Sequence, residues 1–161
     1  GIDGARYTDT RNHLCPGPAI IPYRVSATGA FPVSNRANDW FSQAERDLSL
    51  ARSAAADGFH EWACFAAHQA AEKAVKAIHL RHGQEAWGHS VGRLLAELPV
   101  AVTVPPELGD RAQVLDTYYI PPRYPDSHPE GSPWEHYGPL QSREAVDHAG
   151  AIVDFARAQM A

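Results

Sequence analysis

Cysteine is scarce in this chain: Cys15 and Cys64 are the only two among 161 residues. Two thiols cannot form a disulfide framework, and no Cys-x-x-Cys pair is present to hold zinc. A reducing, cytoplasmic setting is the natural expectation. Long apolar runs are missing as well. No stretch approaches the roughly 20 residues that cross a bilayer. Residues 1–30 lack the continuous apolar segment of a signal peptide. No membrane partner is expected. Positive charge is not in excess: the formal net charge is -5, which argues against holding nucleic acid by bulk charge. No phosphate-cradling glycine loop, no Gly-x-Ser-x-Gly and no His-Glu-x-x-His occurs. The chain opens at Gly1 without Met, which is read as a trimmed start, part of it vector-derived.

Apolar residues are plentiful, at 44% against 20% charged. That composition supports a packed core and excludes global disorder. The length fits one domain plus a tail. Composition changes near residue 37. Residues 1–37 hold four of the 13 prolines, carry a charge of +2 and show no sustained periodicity. They read as an irregular extension with an extended piece over 19–25. The remainder, 38–161, carries -7 and is periodic.

Its pattern is helical throughout. The spacing of Phe41, Ala44, Leu48, Ala51 and Ala55 predicts a first helix, capped at Asn38 or Asp39 and stopped by Gly58. A second runs over 60–82, rich in alanine. One broad inward face is marked by Trp62, Phe65, Ala66, Gln69, Ala70, Lys73, Ala74, Ala77 and Ile78. The link between the two is short enough for an antiparallel hairpin. A short helix follows over 90–98, capped by His89 or Ser90. Another spans 106–119, with Leu108, Ala112 and Leu115 buried. A last helix spans 142–160 with Ser142 as a simple cap. Six prolines between Pro121 and Pro139 exclude a helix there. The fold expected is all-α: an up-and-down four-helix bundle with one short extra helix and an irregular N-terminal extension.

The most unusual segment is Tyr118-Tyr119-Ile120-Pro121-Pro122-Arg123-Tyr124-Pro125-Asp126-Ser127-His128-Pro129. Proline stiffening lets such a loop present side chains at low ordering cost. Arg123 offers a planar fork for phosphate. Tyr118, Tyr119 and Tyr124 offer stacking faces for a base. His128 can shuttle protons near neutral pH. Together they suit a nucleotide or an RNA phosphodiester. The plainer alternative is that Arg123 and Asp126 form a local ion pair while the tyrosines cap the end of the bundle.

A second oddity is Gln69 and Lys73, polar intrusions one turn apart on the face expected to be apolar. Buried polar groups need partners, so these two should bond across the bundle or line a cleft or interface. The alternative is a solvated helix with a Glu72–Lys76 surface pair. The nine histidines raise the question of a metal. A di-iron bundle site needs Glu-x-x-His on two helices, and that pattern is absent. No metal or other cofactor is expected. His79 and His82 read as surface residues at a helix end, and Cys64 as a small core hydrophobe.

These residues carry a resemblance. Asp39-Trp40-Phe41 through Leu48, Glu61-Trp62-Ala63, the run His68 to Ala77, His89-Ser90 and the segment Tyr118 to Asp126 resemble a HEPN domain (higher eukaryotes and prokaryotes nucleotide-binding). The resemblance covers about residues 37–160. It implies a four-helix core that forms a homodimer and binds nucleotides or RNA. It also implies, for many members, a small nucleotidyltransferase partner acting as antitoxin. The active branch of the family is a metal-independent endoribonuclease with an Arg-x(4–6)-His motif. Arg123 and His128 match that spacing and would be its catalytic pair. Tyr118, Tyr119, Tyr124, Asp126, Lys73 and Gln69 would contact the nucleotide or RNA. One departure is plain: the active branch places Asn, Asp or His after the arginine on a helix, whereas here Tyr124 follows, with Pro125 and Pro129 nearby. A non-catalytic nucleotide-binding or protein-interaction module is the alternative.

Overall fold

The computed structural model describes residues 36–161. Apart from Arg36 and Ala37, the expected extension lies outside the described residues. Five helices follow one another: α1 (Ala37–Ala56), α2 (His60–Arg81), α3 (Val91–Ala96), α4 (Pro106–Asp116) and α5 (Pro139–Met160). No strand occurs among the described residues. Four longer helices and one short one match the expected bundle.

The center of the bundle is α2. It packs against α1, α5, α3 and α4, and 15 of its 22 residues are buried. Alanine makes this possible. Ala63, Ala67, Ala70, Ala71, Ala74 and Ala77 are fully buried and present only a methyl group to each neighbor. Ala44 and Ala51 of α1 and Ala145, Ala149 and Ala156 of α5 are equally buried, so backbones approach closely on two sides. Larger side chains fill the rest: Val75 and Ile78 of α2, Leu94 of α3, Leu115 of α4, and Ile152 and Val153 of α5.

Turn chemistry closes the α1–α2 hairpin. The Phe59 N–H reaches the Ala54 carbonyl (2.8 Å) and the Gly58 N–H the Ala55 carbonyl (3.4 Å). Gly58 sits at φ +85°, the left-handed conformation this helix ending requires. The same pair of bonds ends α2, with Gly83 at φ +73°.

Several local expectations are corrected. Neither Asn38 nor Asp39 caps α1, which begins one residue earlier without a side-chain cap; Asp39 instead accepts from the Arg36 side chain at 2.9 Å. The fourth helix ends at Asp116, so Tyr118 and Tyr119 lie beyond it. The last helix starts at Pro139, because proline at a first helical position loses no intrahelical bond. The Gly138 N–H is capped by the Gln141 side chain at 3.0 Å. Ser142 is therefore not a cap but a buried residue bonded to His60 (2.9 Å). The proline-rich stretch holds two single 3-10 turns, Pro125–Ser127 and Pro133–Glu135. Most important for function, the line Trp62, Phe65, Gln69 and Lys73 is not the inward face of α2. It is the one seam of that helix left partly open.

The alanine seams make a direct prediction. Ala71→Leu forces extra carbons into a fully closed contact and should lower stability by about 1–3 kcal/mol in urea melts. Val100→Ala, at a fully exposed position, should change it by less than about 0.5 kcal/mol.

Candidate nucleotide-binding site

The open seam of α2 meets the segment after α4. There the Arg123 guanidinium lies 4.4 Å from the center of the Phe65 ring, 4.9 Å from Tyr119 and 5.1 Å from Tyr124. Its Nε donates to the Tyr119 carbonyl at 2.8 Å, which fixes the side chain from behind. No carboxylate pairs with it among the described residues, and the expected ion pair with Asp126 is not formed. Asp126 is exposed on the first 3-10 turn. An arginine held among three aromatic rings, with its outer N–H groups uncommitted to any acid, can receive an anion.

Beneath this cage lies a polar network that α2 carries into the bundle. His68 is completely buried. Its Nε2 donates to the His89 carbonyl at 2.9 Å, and its Nδ1 accepts from the Gln69 amide at 3.3 Å. Both bonds suit a neutral imidazole. Burial pulls its pKa below the usual 6.5, outweighing the nearby Glu72 and Asp116 carboxylates. Glu72 is also buried. It accepts from Lys76 at 2.9 Å, from Gln69 at 3.2 Å and from His89 Nδ1, which lies 3.3 Å from both oxygens. Burial pushes this carboxyl up, but Lys76, His68 and His89 more than offset it, so it stands below the ordinary value. The Glu72–Lys76 pair is thus buried, not the solvated surface pair of the simpler reading.

Gln69 and Lys73 belong to the same network. The Lys73 ammonium bonds Asp47 of α1 at 2.5 Å and the Gln69 carbonyl oxygen at 3.2 Å. Both side chains therefore meet partners within the chain at the edge of the open seam. Asp116 at the end of α4 accepts from the N–H groups of Val91 (2.6 Å) and Gly92 (3.1 Å) and from the Ser90 hydroxyl (2.7 Å). Ser90 caps α3 as expected, accepting from Arg93 N–H. The close approach explains Gly92: a Cβ there would stand 3.3 Å from the Asp116 carboxylate.

Tyr118 and His128 sit in a different cluster. Tyr118 is buried and meets Tyr137 edge-on at 6.0 Å. Burial, with Cys64 nearby, pushes both phenols up, Tyr137 to about 12. His128 donates from Nε2 to the Pro121 carbonyl at 2.9 Å and stacks on His136 at 4.1 Å. Of the residues singled out from sequence, Arg123, Tyr119 and Tyr124 come together. Gln69 and Lys73 flank them through the network, and among the described residues no hydrogen bond or ring contact joins His128 to Arg123.

Sequence reasoning missed four members of this region: Phe65 as the floor of the arginine cage, Glu72, Asp116 and His89. His89 stacks on Tyr119 at 4.5 Å and 18°. The sequence marks it as a cap candidate for the short helix and as part of the resembling His89-Ser90 pair, but not as a member of the site. One other reading changes and one holds. His79 is not a surface residue; it is buried, with its ring nitrogens engaged by the Leu94 carbonyl (2.9 Å) and the Gln84 side chain (3.0 Å). Cys64 is a buried core thiol, as expected, and burial pushes it up to about 12. Among the described residues no three His, Cys, Asp or Glu side chains converge as metal ligands, and no helix is long and apolar enough to cross a membrane.

Glu72 ties this network to stability. It releases its proton more readily folded than unfolded, so its contribution is present above the ordinary value of 4.5 and is lost as pH falls through its lower folded value. His68 acts in the same direction: below 6.5 the unfolded chain takes up a proton that the folded chain resists. Wild-type stability should therefore decline as pH drops below 6.5. Glu72→Gln, which leaves Lys76 without its buried partner, should cost about 3 kcal/mol at neutral pH. It should also show a shallower acid limb in pH-dependent urea melts.

Comparison with known proteins agrees with the fold. No curated protein matches the chain. Among solved structures, TT1696 from Thermus thermophilus is 51% identical, covering 78% of this chain and 98% of its own, with a TM-score of 0.76. ST0689, described as an archaeal HEPN homologue, is 40% identical over 78% of this chain and 98% of its own, with a TM-score of 0.66. An HEPN domain protein from Thermotoga maritima, TM0613, is 38% identical over 76% of this chain and 97% of its own, with a TM-score of 0.62. The HEPN domain family model matches residues 37–159, and the chain belongs to the HEPN domain family.

Proposed function

We propose that this HEPN domain binds the phosphate of a nucleotide or RNA strand through Arg123, with Tyr119 and Tyr124 as faces for the base or sugar. The observation that supports this reading best is the uncommitted guanidinium held among Phe65, Tyr119 and Tyr124. A planar fork anchored through Nε keeps its outer N–H groups for two phosphate oxygens. The local positive charge comes from Arg123 itself, since the neighboring cations Lys73 and Lys76 are already paired with Asp47 and Glu72.

The domain works as a homodimer in this reading. Leu50, Ala54, Trp62, Phe65 and Ala66 line an apolar groove of about 430 Å³ between α1 and α2. Leu50 and Trp62 are 59% and 50% exposed, a large apolar patch for a monomer to show to water. The groove runs to Phe65, the floor of the arginine cage. A second copy seated there on a two-fold axis brings two Arg123 loops toward one cleft.

The runner-up is a metal-independent endoribonuclease of a toxin–antitoxin pair, with a small nucleotidyltransferase as partner. Here Arg123 would stabilize the scissile phosphate and His128 would move the proton. Its support is the Arg-x(4)-His spacing. Geometry favors the binding reading, since the His128 Nε2 is occupied by a backbone carbonyl and its ring is stacked on His136.

Calorimetry with ATP, GTP and short single-stranded RNA tests the binding reading. Wild type should bind at least one of them, Arg123→Ala should weaken that binding about 10- to 100-fold, and Tyr118→Phe should leave it unchanged. No heat with any ligand removes the reading. RNA cleavage in EDTA that disappears in both Arg123→Ala and His128→Ala would favor the runner-up. Light scattering should give twice the 17.6 kDa of one chain, and Leu50→Asp combined with Trp62→Asp should halve it. A wild-type monomer at micromolar concentration contradicts the dimer.

A further inference from the structure

The Arg123 site has a second group able to meet an anion. The His89 side chain is 55% exposed. Its Nδ1 lies 3.3 Å from both oxygens of Glu72. A carboxylate only accepts, so Nδ1 carries a proton and the ring is held with Nε2 directed away from Glu72. No hydrogen bond engages that Nε2 among the described residues. The His89 ring also stacks on Tyr119, whose center is 4.9 Å from the Arg123 guanidinium. One aromatic ring therefore positions both groups.

The charges facing His89 come from three elements. From α2, Glu72 faces it directly, Lys76 bonds the same carboxylate, and neutral His68 donates to the His89 carbonyl. From α4, Asp116 stands 3.7 Å from His68 and is occupied by the backbone of α3. From the following segment come Tyr119 and Arg123.

We propose that His89, in its imidazolium form, donates from Nε2 to an oxygen of the same phosphate that Arg123 holds, so that ligand binding takes up a proton. This rests on the reading of Arg123 as a phosphate contact. The chemistry is simple. A neutral ring with the proton on Nδ1 turns a lone pair toward the phosphate and repels it. A protonated ring offers a donor and a positive charge, and Glu72 stabilizes that charge from behind. The phosphate selects the charged form, and binding and protonation are then reciprocal. Because binding takes up a proton, affinity falls as pH rises. The ligand class is a phosphate ester of a nucleotide, with Tyr119 and Tyr124 beside it.

The probe is an oligouridylate without terminal phosphates, whose diesters and bases do not titrate between about pH 6 and 8. Calorimetry of the full chain in two buffers of unlike ionization enthalpy reads proton uptake directly. Wild type should take up a fraction of a proton per site and bind about tenfold more weakly at the upper pH than at the lower. His89→Gln, at an exposed position and checked for folding by thermal melting, should abolish the uptake and flatten the pH profile. His82→Gln, at an exposed position beyond the end of α2, should retain both. Binding without proton uptake overturns the inference and leaves the Arg123 reading standing. So does uptake that persists in His89→Gln or disappears in His82→Gln. Absence of any wild-type binding to the probe also overturns the inference, while the Arg123 reading is then decided by the ATP and GTP titrations.

Discussion

The buried carboxylate of Glu72 is the constraint on which the rest of the site depends. A charge inside a helical bundle is costly unless paired and hydrogen-bonded on all sides. Here Lys76, Gln69 and His89 meet it from two elements. Meeting that requirement brings the segment before α3 against α2. The His89 carbonyl then accepts from His68, and Asp116 caps the adjoining turn from the end of α4. One ion pair thus sets the start of α3 and the end of α4 against the body of α2. The loop that leaves α4 departs from that junction and lays Tyr119 on His89.

The alanine content of α2 makes this burial possible. A helix with methyl groups on most sides can be surrounded by its neighbors. Any polar residue on it then faces inward and must be matched, or faces the one open seam. Phe65 lies on that seam, and Arg123 lies over Phe65. The arginine is held by faces rather than by an acid, which leaves its charge available. Tyr118 and His128 instead join Tyr137 and His136, where hydrogen bonds and stacking engage them within the chain.

The helices were largely legible because each carries its own periodic stripe. Leu108, Ala112 and Leu115 of α4, and Ala145, Ala149, Ile152, Val153 and Ala156 of α5, are buried as their spacing predicts. Orientation was less legible for α2. When alanine occurs on every side, hydrophobic spacing does not distinguish inside from outside, and the larger Trp62 and Phe65 were assigned inward when they lie on the open seam. Proline density hid the start of α5, because proline breaks a helix interior yet suits its first turn. The tyrosine–arginine loop stood out by composition, but Glu72 and His89 did not. They lie 17 residues apart on different elements, and neither is unusual beside its own neighbors.

Readable from the linear string were the all-α class, the stop at Gly58, a cap within the His89-Ser90 pair and the segment from Tyr118 to Asp126 as the unusual one. These depend on backbone preferences and contacts within a turn or two, which a linear string records. Tertiary structure alone decided which groups face one another: Arg123 over Phe65, His89 on Glu72, His128 on His136 rather than beside Arg123. Such pairings follow from how helices pack and which buried charges must be matched. That balance is reached only when the whole bundle closes.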